Sequence, residues 1–179
     1  MVICMKEMEL KILDVDRKSV ENKLIYLGAS KIFDDIIYTL FFDDKNGSIK
    51  KEKNLLRLRS YGKTHFLTYK KYLEDAEVKT MEEYEIEISD IKSMASILHE
   101  LGFYEDFSVK KHRTSYRLKD TLFEFDKYLD EYDYIPEFLE IEVKQSESFQ
   151  FYINKLNLED YMIIPWSFFD IATYYQEKL

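Results

Sequence analysis

An α+β domain built on about eight antiparallel strands is the architecture this sequence predicts, and three observations carry it. Runs of alternating polar and apolar residues recur along the whole chain, most of them joined by turns too short for a parallel crossover. Two runs, Glu7-Met8-Glu9-Leu10-Lys11 near the start and Leu139-Glu140-Ile141-Glu142-Val143 near the end, are near mirrors with acids at every second position. Helical stretches with clear caps are inserted between strands or appended after them, without the regular alternation of a parallel α/β fold.

Taken in order, the first strand has Glu7, Glu9 and Lys11 on one face and Met8, Leu10 and Ile12 on the other, because strand side chains alternate. Asp16 caps a helix over about 17–27 with Val20, Leu24 and Leu27 on one side, and Gly28 ends it. Residues 31–43, rich in β-branched and aromatic types, form a long strand closed by Asp43-Asp44-Lys45-Asn46-Gly47, a strong turn signal. The lysine-rich run from Lys45 to Lys53 reads as a solvated loop able to draw a polyanion. Strands over 55–61 and 65–72 make a hairpin across Gly62-Lys63-Thr64, with Arg57 and Arg59 sharing a face.

In the next strand, over 81–89, Glu83, Glu85 and Glu87 alternate with Tyr84, Ile86 and Ile88; Asp90 then caps a helix to about Leu101. Strands over 104–118, with Lys111 and Arg113 two apart, and over 121–129, with Leu122, Glu124, Asp126 and Tyr128 on one face, lead to the last strand at 137–144. Residues 146–156 and 167–178 are helical, with Ser146 and Ser167 as caps and Pro165 at the break between them. Trp166, Phe168 and Phe169 are expected to pack over the strands as part of that last helix.

Composition narrows the function classes. The chain has 179 residues, 46% of them hydrophobic, which suits a single domain with a sizeable core. Its 34% charged residues, four Gly and two Pro argue against low-complexity segments. A net charge of −9 repels nucleic acid and anionic lipid. The opening MVICMKEMEL is too short an apolar patch for a signal peptide, and no run of 18 apolar residues occurs, so a cytoplasmic protein without a membrane or nucleic-acid partner is expected. Cys4 alone makes no disulfide, and His65, His99 and His112 lack zinc-ligand spacing. Any metal must be held by carboxylate oxygen.

A single charge-alternating strand reads as half of a sheet whose polar side meets water. The joint pattern says more, because basic pairs (Arg57/Arg59, Lys111/Arg113), with Lys11 and Lys70, and acidic pairs (Glu7/Glu9, Glu140/Glu142) each lie opposite good apolar packers. If such strands close with charges inward, about six cations and about six carboxylates face a lumen too costly to keep dry. A polyanion complements the cations and a hard divalent ion the carboxylates, which together describe a metal-bound phosphate chain.

At this point the residues resemble the CYTH superfamily, the triphosphate tunnel metalloenzymes that include class IV adenylyl cyclases and thiamine triphosphatases. The resemblance covers almost the full length. Glu7-Met8-Glu9-Leu10-Lys11 matches the Glu-x-Glu-x-Lys signature, and the segment from Phe42 to Arg59 resembles the passage ending Leu-Arg-x-Arg. Leu67-Thr68-Tyr69-Lys70, Lys111-His112-Arg113, Asp126 and Phe138-Leu139-Glu140-Ile141-Glu142 resemble the family's later strands in the same order. The resemblance implies a closed, antiparallel eight-stranded tunnel with a charged lumen, flanked by three to four helices, as one domain over 1–179. The loop Tyr132-Asp133-Tyr134-Ile135-Pro136 departs from the Gly-containing turn of many members.

By the same resemblance, Lys11, Arg57, Arg59, Lys70, Lys111 and Arg113 hold triphosphate oxygens. Glu7, Glu9, Glu85, Asp126, Glu140 and Glu142 carry one or two ions, Mg²⁺ or Mn²⁺; Glu83 and Glu87 share the face of Glu85, and parity does not separate the three. Glu7, Glu9, Lys11, Glu140 and Glu142 form the implied catalytic set. His112 faces away from the lumen. In so acidic a lumen, removing Glu140 is expected to cost little stability. The reading favours hydrolysis of tripolyphosphate or a small triphosphate ester such as ATP or thiamine triphosphate, since water needs no nucleoside pocket. A class IV type adenylyl cyclase is the alternative, and a non-catalytic polyphosphate or nucleotide binder the third class. The resemblance alone leaves a homodimer open.

Overall fold

The computed structural model of the chain describes residues 3–73 and 79–179; the side chains of 3–7, 79, 80 and 147 lie outside the described set. The elements run β1 (Ile3–Ile12), α1 (Arg17–Tyr26), β2 (Ser30–Asp44), α2 (Ser48–Lys51), β3 (Leu55–Tyr61), β4 (Thr64–Leu73), β5 (Lys79–Ile88), α3 (Ile91–Glu100), β6 (Phe103–Leu118) and β7 (Thr121–Tyr128). A 3-10 turn (Asp130–Tyr132), β8 (Phe138–Val143), α4 (Glu147–Leu156), β9 (Ile163–Ile164) and α5 (Phe168–Gln176) complete the chain. The strands form one large sheet in the order β5-β4-β3-β2-β6-β7-β8-β1-β9, with β5 also pairing with β1. The described registers are antiparallel. The α+β expectation therefore holds.

Two expectations change. The sheet has nine strands instead of eight, because Ile163–Ile164 adds to β1 through Lys11↔Ile164 and Ile12↔Ile163. Two residues are too short to show a period of two, so the sequence carried no signal for them. The helix count rises from three or four to five, because part of the run read as a solvated loop is the single turn α2. Its backbone donors are met by Asp43, which accepts from the N–H of Ile49 (2.9 Å) and of Lys50 (3.0 Å), while Gly47 enters the turn at φ +68°.

By contact, the described chain divides into two compact units. One comprises, of the described residues, 3–6, 36–73 and 80–110, and the other 7–35, 79 and 111–179. In the first, Phe42, Leu56 and Leu58 pack with Leu98 of α3, flanked by Ile91 and Met94. In the second, Ile12, Phe123, Phe125, Leu139 and Ile141 face Val20 and Leu24 of α1 and Phe149, Tyr152, Ile153 and Leu156 of α4. Each such side chain contributes about 1.5–3 kcal/mol on burial, so this apolar face is what anchors the two helices.

Asp16, Asp90 and Ser167 cap their helices as the sequence marks them, whereas Ser146 precedes α4 without a side-chain cap bond. Asp16 accepts from the N–H of Ser19 (3.1 Å), and Ser167 with Asp170 forms a capping box. Within the second unit, Phe168 packs on Tyr128 and Tyr132, each at 4.9 Å between ring centroids, and Trp166 lies edge-on to Tyr174. Among the described residues no helix is long and apolar enough to cross a membrane.

Candidate functional site

Residues directly opposite on antiparallel strands point to the same side of a sheet. In the second unit the register aligns Lys111 with Tyr128, Arg113 with Asp126 and Ser115 with Glu124. It continues through Glu124↔Glu140, Glu140↔Lys11 and Glu142↔Glu9. Lys111, Arg113, Glu124, Asp126, Tyr128, Glu140, Glu142, Glu9 and Lys11 thus share one face, the one opposite the α1 and α4 packing. That face is charged and yet enclosed: Asp126 is 0% exposed, and Lys11, Lys111, Arg113, Glu124 and Glu140 are all buried.

Buried charges persist only when paired, and here they are paired densely. Lys11 Nζ sits between Glu9 Oε1 at 2.9 Å and Glu140 Oε2 at 2.8 Å. Arg113 forms a fork on Asp126, Nε to Oδ1 at 2.6 Å and Nη2 to Oδ2 at 2.5 Å, while Nη2 also reaches Glu140 Oε1 at 3.3 Å and Nη1 contacts Glu124. Lys111 Nζ donates to Asp126 Oδ2 at 2.5 Å, and Ser115 Oγ to Glu124 Oε1 at 2.9 Å.

These pairings control the protonation states. Burial alone would push the Asp126 carboxyl up, but Arg113 and Lys111 outweigh it and hold it far below the ordinary range. Glu140 is likewise held low: Lys11 and Arg113 overcome burial and the opposing charges of Glu9 and Asp126. Burial disfavours the Lys11 ammonium, yet Glu140 and Glu9 raise it well above the usual lysine range. Attraction to Lys11 and Arg113 therefore outweighs like-charge crowding at Glu140.

The first unit carries a second charged group. Paired positions Arg57↔Thr68, Thr68↔Glu85 and Lys70↔Glu83 share a face across β3, β4 and β5. Lys70 Nζ lies 2.6 Å from Glu83 Oε2, and Arg57 Nη2 lies 3.6 Å from Glu83 Oε1. Arg59 donates to the Tyr61 hydroxyl at 2.6 Å and stacks on its ring. Of the acids that parity could not separate, Glu83 is buried against the cations, Glu85 is half-buried and accepts from the Thr68 hydroxyl at 2.8 Å, and Glu87 is exposed.

Every sequence-selected residue except Glu7 thus has a place. Glu9, Lys11, Lys111, Arg113, Asp126, Glu140 and the half-buried Glu142 gather in the second unit, and Arg57, Arg59, Lys70 and Glu85 in the first. The side chain of Glu7 lies outside the described residues. The sequence left Glu83 undecided among three acids and did not single out Glu124 as a member of these groups. The signal for Glu124 was its place two residues before Asp126 on one strand, but only the register shows what it meets. His112 lies on the opposite side of β6 from Lys111 and Arg113, with Nε2 3.3 Å from Asp34 Oδ1, beside the Arg17–Glu137 and Arg17–Thr114 contacts.

The donor set suits a hard divalent ion. Among the described residues no three His, Cys, Asp or Glu are grouped so as to hold a metal unaided. Glu9 and Glu140 nevertheless converge on one cation, the Lys11 ammonium. Mg²⁺ is commonly held by one or two carboxylates, with water and substrate phosphate completing its shell, so a converging carboxylate pair is a sufficient protein contribution. Glu9 and Glu140, with Glu142 on the same face, are the residues that would hold such an ion.

Comparison with known proteins identifies a family and similar folds. A model of the CYTH domain matches residues 5–153. A protein of Methanocaldococcus jannaschii, named as a putative adenylate cyclase, is 29% identical over 143 residues, 80% of this chain and 79% of the relative. The protein PH1012 of Pyrococcus horikoshii OT3 has a similar fold, with a TM-score of 0.75 at 24% identity over 92% of this chain and 98% of that one. A further similar fold, with a TM-score of 0.67 at 16% identity over 96% of each chain, is that of HpAC1 from Hippeastrum, described as a putative adenylyl cyclase with a dominant triphosphatase activity.

Proposed function

The chain belongs to the CYTH domain family, and from that premise we propose that it is a divalent-metal-dependent triphosphatase acting on tripolyphosphate or a small triphosphate ester such as ATP or thiamine triphosphate. The observation that carries this reading is the enclosed face on which Lys11, Lys111 and Arg113 interleave with Glu9, Glu124, Asp126 and Glu140. Such a face is costly to bury for stability alone and is well matched to a polyanion that brings its own cation. On this reading residues 1–179 act as a single cytoplasmic CYTH domain.

Arg57, Arg59 and Lys70 bind phosphate oxygens, the arginines by their two-pronged donors and Lys70 as a compact charge. Lys11 and Lys111 bind further oxygens, while Arg113 keeps Glu124, Asp126 and Glu140 in place. Bound Mg²⁺ or Mn²⁺ supplies charge neutralisation of the phosphates and activation of water. The residues Glu7, Glu9, Glu85, Asp126, Glu140 and Glu142 remain the carboxylates assigned to one or two such ions, with Glu9 and Glu140 at the centre. Water forms a new bond to a terminal phosphorus as the bridging P–O bond breaks, giving phosphate and the shortened chain, and its proton leaves to solvent. The protein mainly positions groups and screens charge.

A second reading, an adenylyl cyclase, is favoured by the name of the Methanocaldococcus jannaschii relative. Purified protein with ATP, thiamine triphosphate or tripolyphosphate, each with Mg²⁺ or Mn²⁺, distinguishes the two when phosphate, pyrophosphate and cyclic AMP are scored together. Orthophosphate, fastest from tripolyphosphate, is the expected product. Cyclic AMP with stoichiometric pyrophosphate would replace this reading with the second.

A further inference from the structure

Glu124 lies on β7 directly opposite Ser115 of β6 on one side and Glu140 of β8 on the other, and Glu140 in turn stands opposite Lys11 of β1. A hydroxyl, two carboxylates and an ammonium therefore form one row across these strands. Glu124 is 6% exposed and Glu140 8%. Like charges directly opposite across a ladder are destabilising, and burial raises the cost. Arg113, from the neighbouring row, bridges the pair: Nη1 contacts Glu124, and Nη2 lies 3.3 Å from Glu140 Oε1.

The two carboxylates of this row are used differently. Glu140 Oε2 joins Glu9 on the Lys11 ammonium, where a divalent ion would be held. Glu124 is committed elsewhere: Oε1 accepts from the Ser115 hydroxyl at 2.9 Å, and Oε2 contacts Arg113. A guanidinium is a rigid planar fork, so its edges cannot be aimed independently. Here Asp126 takes Nε and Nη2, at 2.6 and 2.5 Å, and Glu124 takes Nη1, which leaves the contact with Glu140 as the longest of these.

We propose that Glu124 is a positioning residue that holds the Arg113 guanidinium off Glu140 and so keeps the Glu140 carboxylate for a divalent ion shared with Glu9. The inference rests on the metal-dependent reading of this face. Without the Glu124 charge, the Nη1 prong loses its anion, and Glu140 is the other carboxylate that Arg113 already reaches. A carboxylate gripped by arginine through a short, charge-assisted bond has less charge to offer a metal. Ser115 serves the same end one step further out, by fixing the oxygen of Glu124 that Arg113 does not take.

Glu124→Gln tests this, because it keeps the side chain's shape and an acceptor oxygen while removing the charge. Titration of the full chain with Mn²⁺ alone, followed by the paramagnetic resonance signal of the free ion, should show about tenfold weaker binding than wild type. Ser115→Ala, which leaves every ion in place, should weaken it about threefold, and it decides the matter if Glu124→Gln does not fold. In an Arg113→Lys background, where a single ammonium replaces the fork, Glu124→Gln should cost little further affinity. The same loss in both backgrounds would make Glu124 a metal ligand or a distant charge, and would overturn the inference. So would a fall in melting temperature with Mn²⁺ affinity unchanged; either result leaves the metal-dependent reading standing. A wild-type protein that binds neither Mn²⁺ nor, in its presence, imidotriphosphate, the P–N–P analogue of tripolyphosphate, would overturn both.

Discussion

The two charged groups of this protein are built alike and balanced differently. In the first unit Arg57, Arg59 and Lys70 share their face with Glu83 and Glu85; in the second, Lys11, Lys111 and Arg113 share theirs with Glu9, Glu124, Asp126, Glu140 and Glu142. With the exposed Glu87 on the same face, cations and carboxylates are equal in number in the former, whereas carboxylates outnumber cations in the latter. Both groups lie on a face whose reverse is an ordinary apolar core, packed by α3 in one unit and by α1 and α4 in the other. On the proposed triphosphatase reading the first would draw an anionic chain and the second a metal cation.

Arg113 illustrates the contrast best. The resemblance assigns it to phosphate together with Arg57, and its guanidinium contacts Asp126, Glu124 and Glu140. On the proposed reading a cation so placed organises carboxylates. Arg59, by comparison, is steered by a tyrosine, with its guanidinium over the Tyr61 ring and a hydrogen bond to its hydroxyl.

Substitutions sharpen or break this division. The largest effect on activity is expected at Glu140: Glu140→Gln should lower metal-dependent kcat/KM at least about 100-fold, measured by phosphate release across a Mg²⁺ titration. Retained turnover would mean that the second unit is not the metal side. The largest effect on stability is expected at Asp126, where Asn leaves Arg113 and Lys111 buried without their shared anion, at a cost of about 3–5 kcal/mol in denaturant unfolding.

That difference has a defined pH window. The folded-state carboxyl of Asp126 is held below its ordinary value, so its contribution is present above the unfolded pKa and fades as pH falls through the folded one. The gap between wild type and Asp126→Asn should be constant from about pH 5 to 8 and shrink below about pH 4. A gap that widened on acidification would contradict the pairing.

Smaller changes separate the first unit's cations from surface lysines. Arg57→Ala should weaken imidotriphosphate binding about tenfold, whereas Lys50→Ala on the exposed turn should leave it within about twofold. Equal losses would show that long-range attraction, and not the buried face, does the binding. The smallest effect is expected for His112→Gln, whose ring lies on the reverse of β6: turnover should change by less than about twofold, as for most exposed substitutions.

Period-two alternation made most of the strands and both faces readable before any coordinates. The strand 55–61 was read as it is observed, and so was the sorting of Glu9, Lys11, Arg57, Lys111, Arg113 and Glu140 away from their apolar neighbours. Caps at Asp16, Asp90 and Ser167 marked the helix starts for a similar reason, since the unmet N–H groups of a first turn need an acceptor within a few residues. These are local facts, and local sequence carries them. Alternation states which side of a strand a residue takes, but not which residue it meets across the ladder. Glu83, Glu85 and Glu87 are equivalent by parity, and only the register of β4 against β5 sets Glu83 opposite Lys70. The fork of Arg113 on Asp126, the contact with Glu124 and the shared ammonium of Lys11 were likewise decided by strand pairing. Burial then made those pairings matter, because a charge removed from water must be matched by whichever neighbour the register supplies.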